Sequence, residues 1–270
     1  MSVRALSFIA FLLLGAAPAS AQYSLFRPVP RAQMRAINTD RPGWGDNPYT
    51  MDAGRFQIEF AAADVMGGGA APLEREAWNA LGTTLRVGIF PTVEAAVSVA
   101  GYGEVRLREP GSVVSQESRG LGTIAGRLKF NLKGADSGTT SIAVIPAVSL
   151  AGGSRKAGFL VSVPLAQTLP GGWSLAVTGR AGVLPGAATR WAFTSAAAVG
   201  LGRAVSSTVG AYLEGSADWF AEAGAVDAYR LGGGATIALS PGIKFDFGGE
   251  AGLSATADAF HFFSGLVVRF

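Results

Sequence analysis

Beyond residue 21 this chain has no continuous run of 18 apolar residues, although 49% of it is hydrophobic and its mean hydropathy is +0.33. A membrane helix needs about 20 such residues in a row, so a helical membrane protein is excluded. The apolar residues are instead interleaved with polar ones. In Arg55-Phe56-Gln57-Ile58-Glu59-Phe60 the polar side chains fall on one side and the apolar ones on the other, the period-two pattern of a strand. The alternation returns in Arg127, Lys129 and Asn131 against Leu128, Phe130 and Leu132. It returns again in Lys244, Asp246 and Glu250 against Ile243, Phe245, Phe247, Ala251 and Leu253.

The first 21 residues differ. A basic start at Arg4, an apolar run from Ala5 to Ala17, Pro18 and the small triplet Ala19-Ser20-Ala21 read as a cleavable secretory leader ending before Gln22. The mature chain has no cysteine, which leaves neither a disulfide framework nor a thiolate metal site. Its 22 Lys and Arg against 19 Asp and Glu are dispersed and form no nucleic-acid stripe.

A secreted chain of alternating strands folds either as a soluble sandwich or as a membrane barrel with its apolar side outward. The rhythm favours the barrel. Strands are expected near 54–64, 76–87, 93–106, 119–132, 139–150, 157–168, 173–183, 189–201, 207–218, 227–239, 243–253 and 260–270. This is an even set of about twelve, each close to the 9–11 residues that cross an outer membrane at a tilt. Tight turns are expected at Phe90-Pro91-Thr92, Leu169-Pro170-Gly171-Gly172, Gly202 to Ser206 and Ser240-Pro241-Gly242, facing the periplasm. Longer external loops are expected at Val65 to Arg75, Leu107 to Ser118 and Trp219 to Val226. The chain ends on Phe270, with Leu266 and Val268 on the same face, as bacterial outer-membrane proteins typically end. Phe270 is therefore the expected signal to the barrel assembly machinery, on a strand that must pair with the first to leave no open edge.

Ahead of the first strand stand Thr39-Asp40-Arg41-Pro42, Asn47-Pro48 and Gly54-Arg55-Phe56-Gln57-Ile58-Glu59. These segments resemble the opening of an outer-membrane transporter family catalogued under the meta-pathway of phenol degradation. The likeness covers roughly residues 38–60. The family's more acidic, hydroxyl-rich stretch after Asp-Arg-Pro is replaced here by Gly43-Trp44-Gly45-Asp46. The resemblance implies a channel or uptake protein, with an aromatic solute expected on the resemblance alone. Asp40 and Arg41, before the rigid Pro42, are expected to pin the N-terminal segment inside or beneath the barrel, or to contact solute.

Catalytic groups are sparse. His261 is the single histidine and Ser264 falls on the opposite face of its strand, which argues against a Ser-His lipid hydrolase. No cofactor and no transition-metal site is expected. Paired carboxylates and cations on the polar faces read as a lumenal ladder of ion pairs. The expected lining is Arg55, Glu59, Arg86, Glu94, Glu104, Arg106, Arg127, Lys129, Arg180, Glu214, Arg230, Lys244, Asp246, Glu250 and Arg269. Space beside it would be kept by Ala80, Gly82, Gly232, Gly234 and Gly248. Trp44, Trp78, Trp173, Trp191 and Trp219 with Tyr102 and Tyr229 suit interfacial girdles, and Tyr212 the lumen.

The sequence thus predicts an all-β, transmembrane, antiparallel up-and-down β-barrel of a Gram-negative outer membrane. It divides into a leader at 1–21, a periplasmic or plug segment at 22–53 and the barrel at 54–270. Its expected role is a channel for small solutes, with outer-membrane lipid as its surroundings. A non-conducting structural or adhesive barrel is the alternative, followed by a lipid hydrolase.

Overall fold

The computed structural model describes residues 22–69, 74–109, 111–112, 115–135, 138–150, 156–185, 191–220 and 227–270; the expected leader lies outside them. The described residues form one closed antiparallel barrel of twelve strands. They are β1 (Phe56–Gly69), β2 (Glu74–Phe90), β3 (Val93–Val99 continued by Tyr102–Arg108), β4 (Ser115–Leu121 continued by Ile124–Lys133), β5 (Thr140–Leu150) and β6 (Ala157–Leu169). Then follow β7 (Trp173–Leu184), β8 (Ala192–Ala204), β9 (Val209–Phe220), β10 (Ala228–Ser240), β11 (Ile243–Gly252) and β12 (Asp258–Arg269). The breaks in β3 and β4 face each other and stay bonded, Ala100 N–H to Thr123 O at 2.9 Å and Gly122 N–H to Gly101 O at 2.9 Å.

Each strand pairs with its sequence neighbours, and β1 closes on β12 from Gln57 opposite Arg269 to Gly69 opposite Asp258. The Phe270 N–H adds one more bond, 2.8 Å to Phe56 O. Closure satisfies the backbone of both would-be edge strands, which hydrocarbon requires. Phe56, Leu85, Val97, Leu128, Val161, Val199, Leu213 and Phe247 are exposed on the outside, whereas Gln57, Glu59, Arg86, Glu94, Lys129, Asn131, Ser162, Thr178 and Asp246 are buried within. An apolar exterior around a charged interior places the protein in the bacterial outer membrane. The described segment around Leu25, the C-terminal Phe270 and the short turns at 91–92, 170–172 and 241–242 share one end, the periplasmic one by the rule for such barrels.

The strands run further than expected at several ends. Gly202 and Arg203 remain paired with both β7 and β9, and Ala204 with β9, so the turn expected at Gly202 to Ser206 falls after Ala204. Within the loops expected at 65–75 and 107–118, residues 65–69, 74–75, 107–108 and 115–118 are strand, and in the first of them alternation continues through Val65–Met66 and Glu74–Glu76. The residues after Phe220 in the third external loop lie outside the described ones.

One local irregularity changes which side chains face inward. The β1 register shifts between Ala61 and Ala63, and β2 answers with a left-handed Leu81 (φ 60°). On β3 a left-handed Gly101 (φ 76°) does the same. An added residue reverses the alternation beyond it. Consequently Val65, Trp78 and Glu104 stand abreast on the outer face in line with Phe262, and Trp78 stacks near Tyr102 at 6.1 Å. Glu104 and Arg106, expected in the lumen, therefore lie on the outer side, paired with each other at 2.7 Å and with Arg119 and Glu117. Ala80, abreast of Ala63, also faces out.

Candidate functional site

The lumen is occupied by the chain's own N-terminal segment. Twelve strands spaced about 4.8 Å and tilted about 40° make a barrel about 24 Å across between backbones, wide enough inside the side-chain layer for two extended limbs of peptide. Residues Arg35–Thr50 form such a hairpin. One limb enters at the periplasmic end, the Pro42–Asp46 apex rises to β9 and β11, and the second limb returns to β1.

The first limb is held by its carbonyls. Arg269 donates to Arg35 O at 2.8 Å, Lys244 to Ile37 O at 3.0 Å and Gln57 to Asn38 O at 2.7 Å. Asp40 follows, meeting Lys129 at 2.7 Å, Arg127 at 2.5 Å and Arg86 at 3.5 Å. Arg86 is wholly buried and also grips Glu94 at 2.8 Å and Glu59 at 2.7 Å. Burial pushes the Asp40 carboxyl up, and Arg86, Lys129 and Arg127 outweigh it, holding it well below the usual carboxylate range. Arg41 turns the other way, to Asp246 on β11 at 3.1 Å, in space that a Cβ at Gly265 would fill. Asp40 and Arg41 thus reach opposite charged walls, and neighbouring opposite charges tie one turn of peptide across the lumen.

At the apex, Glu214 accepts the backbone N–H of Trp44 at 2.6 Å and of Gly45 at 3.1 Å. Gly43 is left-handed (φ 101°), and a Cβ there would lie 2.8 Å from Glu214. Trp44 donates its indole N–H to Glu250 at 2.6 Å and lies 4.3 Å beneath the Arg230 guanidinium, which pairs with Asp218 at 2.5 Å. Trp44, expected in a girdle, is instead the inner end of the plug. The run Gly43-Trp44-Gly45-Asp46 explains this: two glycines let a carboxylate approach the backbone, where side chains would keep it away. Asp46 then reaches Arg180 at 2.9 Å, Arg127 at 3.3 Å and the Ser162 hydroxyl at 2.5 Å. The return limb is tied through Pro48 O to Asn131 and Met51 N–H to Glu94.

Glu59, Arg86, Glu94, Arg127, Lys129, Arg180, Glu214, Arg230, Lys244, Asp246, Glu250 and Arg269 thus face the lumen. Most of them meet the hairpin, where the sequence reading had them pairing across open water. Arg55 is corrected: it precedes β1 and bonds Val29 O at the periplasmic mouth. Gly248 does not hold space open, since the Phe263 ring covers it. Tyr212 lies at the inner wall, and His261 and Ser264 occupy opposite faces of β12. Sequence reasoning missed Trp44, Asp46, Ser162 and Thr178 as partners; the Gly-Trp-Gly-Asp run was the available signal. Substituting Gly43→Val is expected to unseat the apex, costing about 1–2 kcal/mol for the left-handed backbone alone, and to appear as faster proteolysis of the hairpin in the folded barrel.

No known family model matches the chain, and no curated protein matches it. Solved structures do. An outer-membrane channel from Pseudomonas putida F1 is 11% identical with a TM-score of 0.61, over 86% of this chain and 100% of that one. The β domain of the Bordetella autotransporter BrkA is 13% identical with a TM-score of 0.54, over 80% and 98%. The NanC porin is 11% identical with a TM-score of 0.50, over 77% and 100%. At such identities the likeness is one of fold. None of the three is described by an aromatic solute.

Proposed function

We propose that this protein is an outer-membrane channel for small solutes in which Arg35–Thr50 is a resident plug. The observation that carries this reading is the hairpin itself, docked to the β2–β4 wall by Asp40 and to β9 and β11 by its apex. Along β7–β9 it faces small residues. A cavity of about 270 Å³ lies there on the periplasmic side, bounded by Thr39, Asn47, Ser174, Gly200 and Tyr212. It has room for roughly nine waters at about 30 Å³ each. Beyond it, Trp44 closes against Ala196 and Ala198, leaving only a slot. Passage requires the apex to leave this wall. The charged lumenal residues would then set selectivity, and the aromatic solute implied by the N-terminal resemblance is one candidate. Phe270, bonded to β1, would present the closing strand to the assembly machinery.

A disulfide tests the plug. A Cβ at Gly45 would stand 3.9 Å from that of Ala198, within the roughly 3.5–4.5 Å of a disulfide, and the chain has no other cysteine. Oxidised Gly45→Cys/Ala198→Cys is expected to stay closed in a planar bilayer and to regain openings on reduction. Equal conductance in both states would reject a moving plug. Silence of the parent and of both states would favour the structural barrel.

A further inference from the structure

The N-terminal root of the plug ends in an exposed aromatic turn. Ser24 and Arg27 bond each other's backbone, Ser24 N–H to Arg27 O at 2.9 Å and Arg27 N–H to Ser24 O at 3.0 Å, a clamp that presents Phe26 at its tip. Phe26 is 93% exposed. The turn is tied to the barrel wall because Leu25 N–H bonds Ile89 O at 2.8 Å, beyond the last residue of β2 that β1 pairs with. Phe90, next in sequence to Ile89, and Phe56, which opens β1, are both exposed on the lipid face at the periplasmic rim. Arg27 and Arg31, both exposed, flank it, and neither has a carboxylate among the ion pairs of the described residues.

We propose that the Ser24–Arg27 turn is an interfacial anchor that seats Phe26 in the inner, phospholipid leaflet, with Arg27 and Arg31 at the lipid phosphates. Two observations carry it. The turn continues an interface already present, the aromatic rim of Phe56 and Phe90, and rings at that level favour the boundary between headgroups and acyl chains. Its unpaired cations complement phosphate, as on other basic, apolar membrane-surface segments. A rigid turn also loses little freedom when it inserts. The consequence concerns the plug: with Val29 N–H bonded to Ala53 O and Gly54 packed under Pro28, the root is fixed at the mouth. Only the hairpin beyond it is then left to move.

The absence of cysteine makes the test direct. Phe26→Cys carries a nitroxide on the full barrel in phospholipid vesicles, and collision with oxygen is compared with collision with a water-soluble nickel chelate. Leu213→Cys on the lipid face and Ser207→Cys in a periplasmic turn serve as references. The label at 26 is expected to collide more with oxygen than with the chelate, toward the Leu213 value. A ratio equal to that at Ser207 would place Phe26 in water and overturn the anchor. Because Phe26 contributes almost nothing to packing, a folding failure is not expected to mask either result. Depth at position 26 is read without any conductance, so the anchor and the moving plug stand or fall separately.

Discussion

A barrel lacking residues 35–50 is expected to conduct in stable, well-resolved steps where the intact protein rests near the closed baseline. The deletion is sterically simple. The two limbs already lie together at the mouth, where Arg35 N–H meets Asp52 at 3.2 Å, so a short linker joins Met34 to Met51 without pulling on β1. It removes Arg35 and Arg41 together with Asp40 and Asp46, and so leaves the lumen's net charge unchanged. What changes is solvation. Arg86, Arg127 and Lys129 lose Asp40, but water fills the vacated space and replaces the lost partner at a much lower cost than a dry cavity would impose. The barrel should therefore still fold, and reversal potentials should show weak selectivity. An intact chain already conducting at the deleted chain's level would show that the hairpin does not obstruct passage.

Replacing Arg86 by Met should have the largest effect on stability of any single lumenal change. Arg86 lies between three carboxylates, bonding Glu94 through both Nε and Nη2 at 2.8 Å and Glu59 through Nη1 at 2.7 Å, with Asp40 at 3.5 Å. Removing one partner of a buried pair leaves the other charged and dry, at a cost of about 3–5 kcal/mol. That corresponds to a fall in the folded-to-unfolded ratio of about a hundredfold to a few thousandfold. The readout is the urea midpoint of the barrel in lipid vesicles, followed by heat-modifiable gel migration. Glu74→Gln is the matched comparison. It breaks an Arg108 pair of similar length, 2.5 Å, but half exposed at the external end, and should cost only about 0–1 kcal/mol. Adding Glu94→Gln to Arg86→Met should recover part of the loss, because one of the stranded charges is then gone. Equal midpoints for the Arg86 and Glu74 variants would mean that water reaches Arg86 through the lumen and that the plug does not seal it.

Much of this architecture is legible in the sequence. Alternation of period two is a local property, and a closed barrel leaves it undisturbed over most of its wall, so the strands fell within a few residues of their expected places. The inward facing of Glu59, Arg86, Lys129 and Asp246 followed from the same alternation. The terminal strand ending at Phe270 also pairs as its pattern required, since a barrel without that pairing would leave an open edge in lipid.

Two things could be decided only by the folded chain. The first is parity beyond Ala61, Leu81 and Gly101. One added residue reverses every later side chain, and nothing in an Ala-Ala-Ala or Ala-Leu-Gly stretch announces it, so Glu104 and Arg106 moved from lumen to exterior. The second is what the lumenal charges meet. Asp40 lies 89 residues before Lys129 and Arg41 205 before Asp246, separations over which a sequence shows that charges exist but not which ones close on each other. The sequence determined the wall, because a strand's pattern depends on near neighbours and on lipid. The tertiary structure alone decided that the wall is filled, because that depends on where a segment without strand pattern finds its opposite charges.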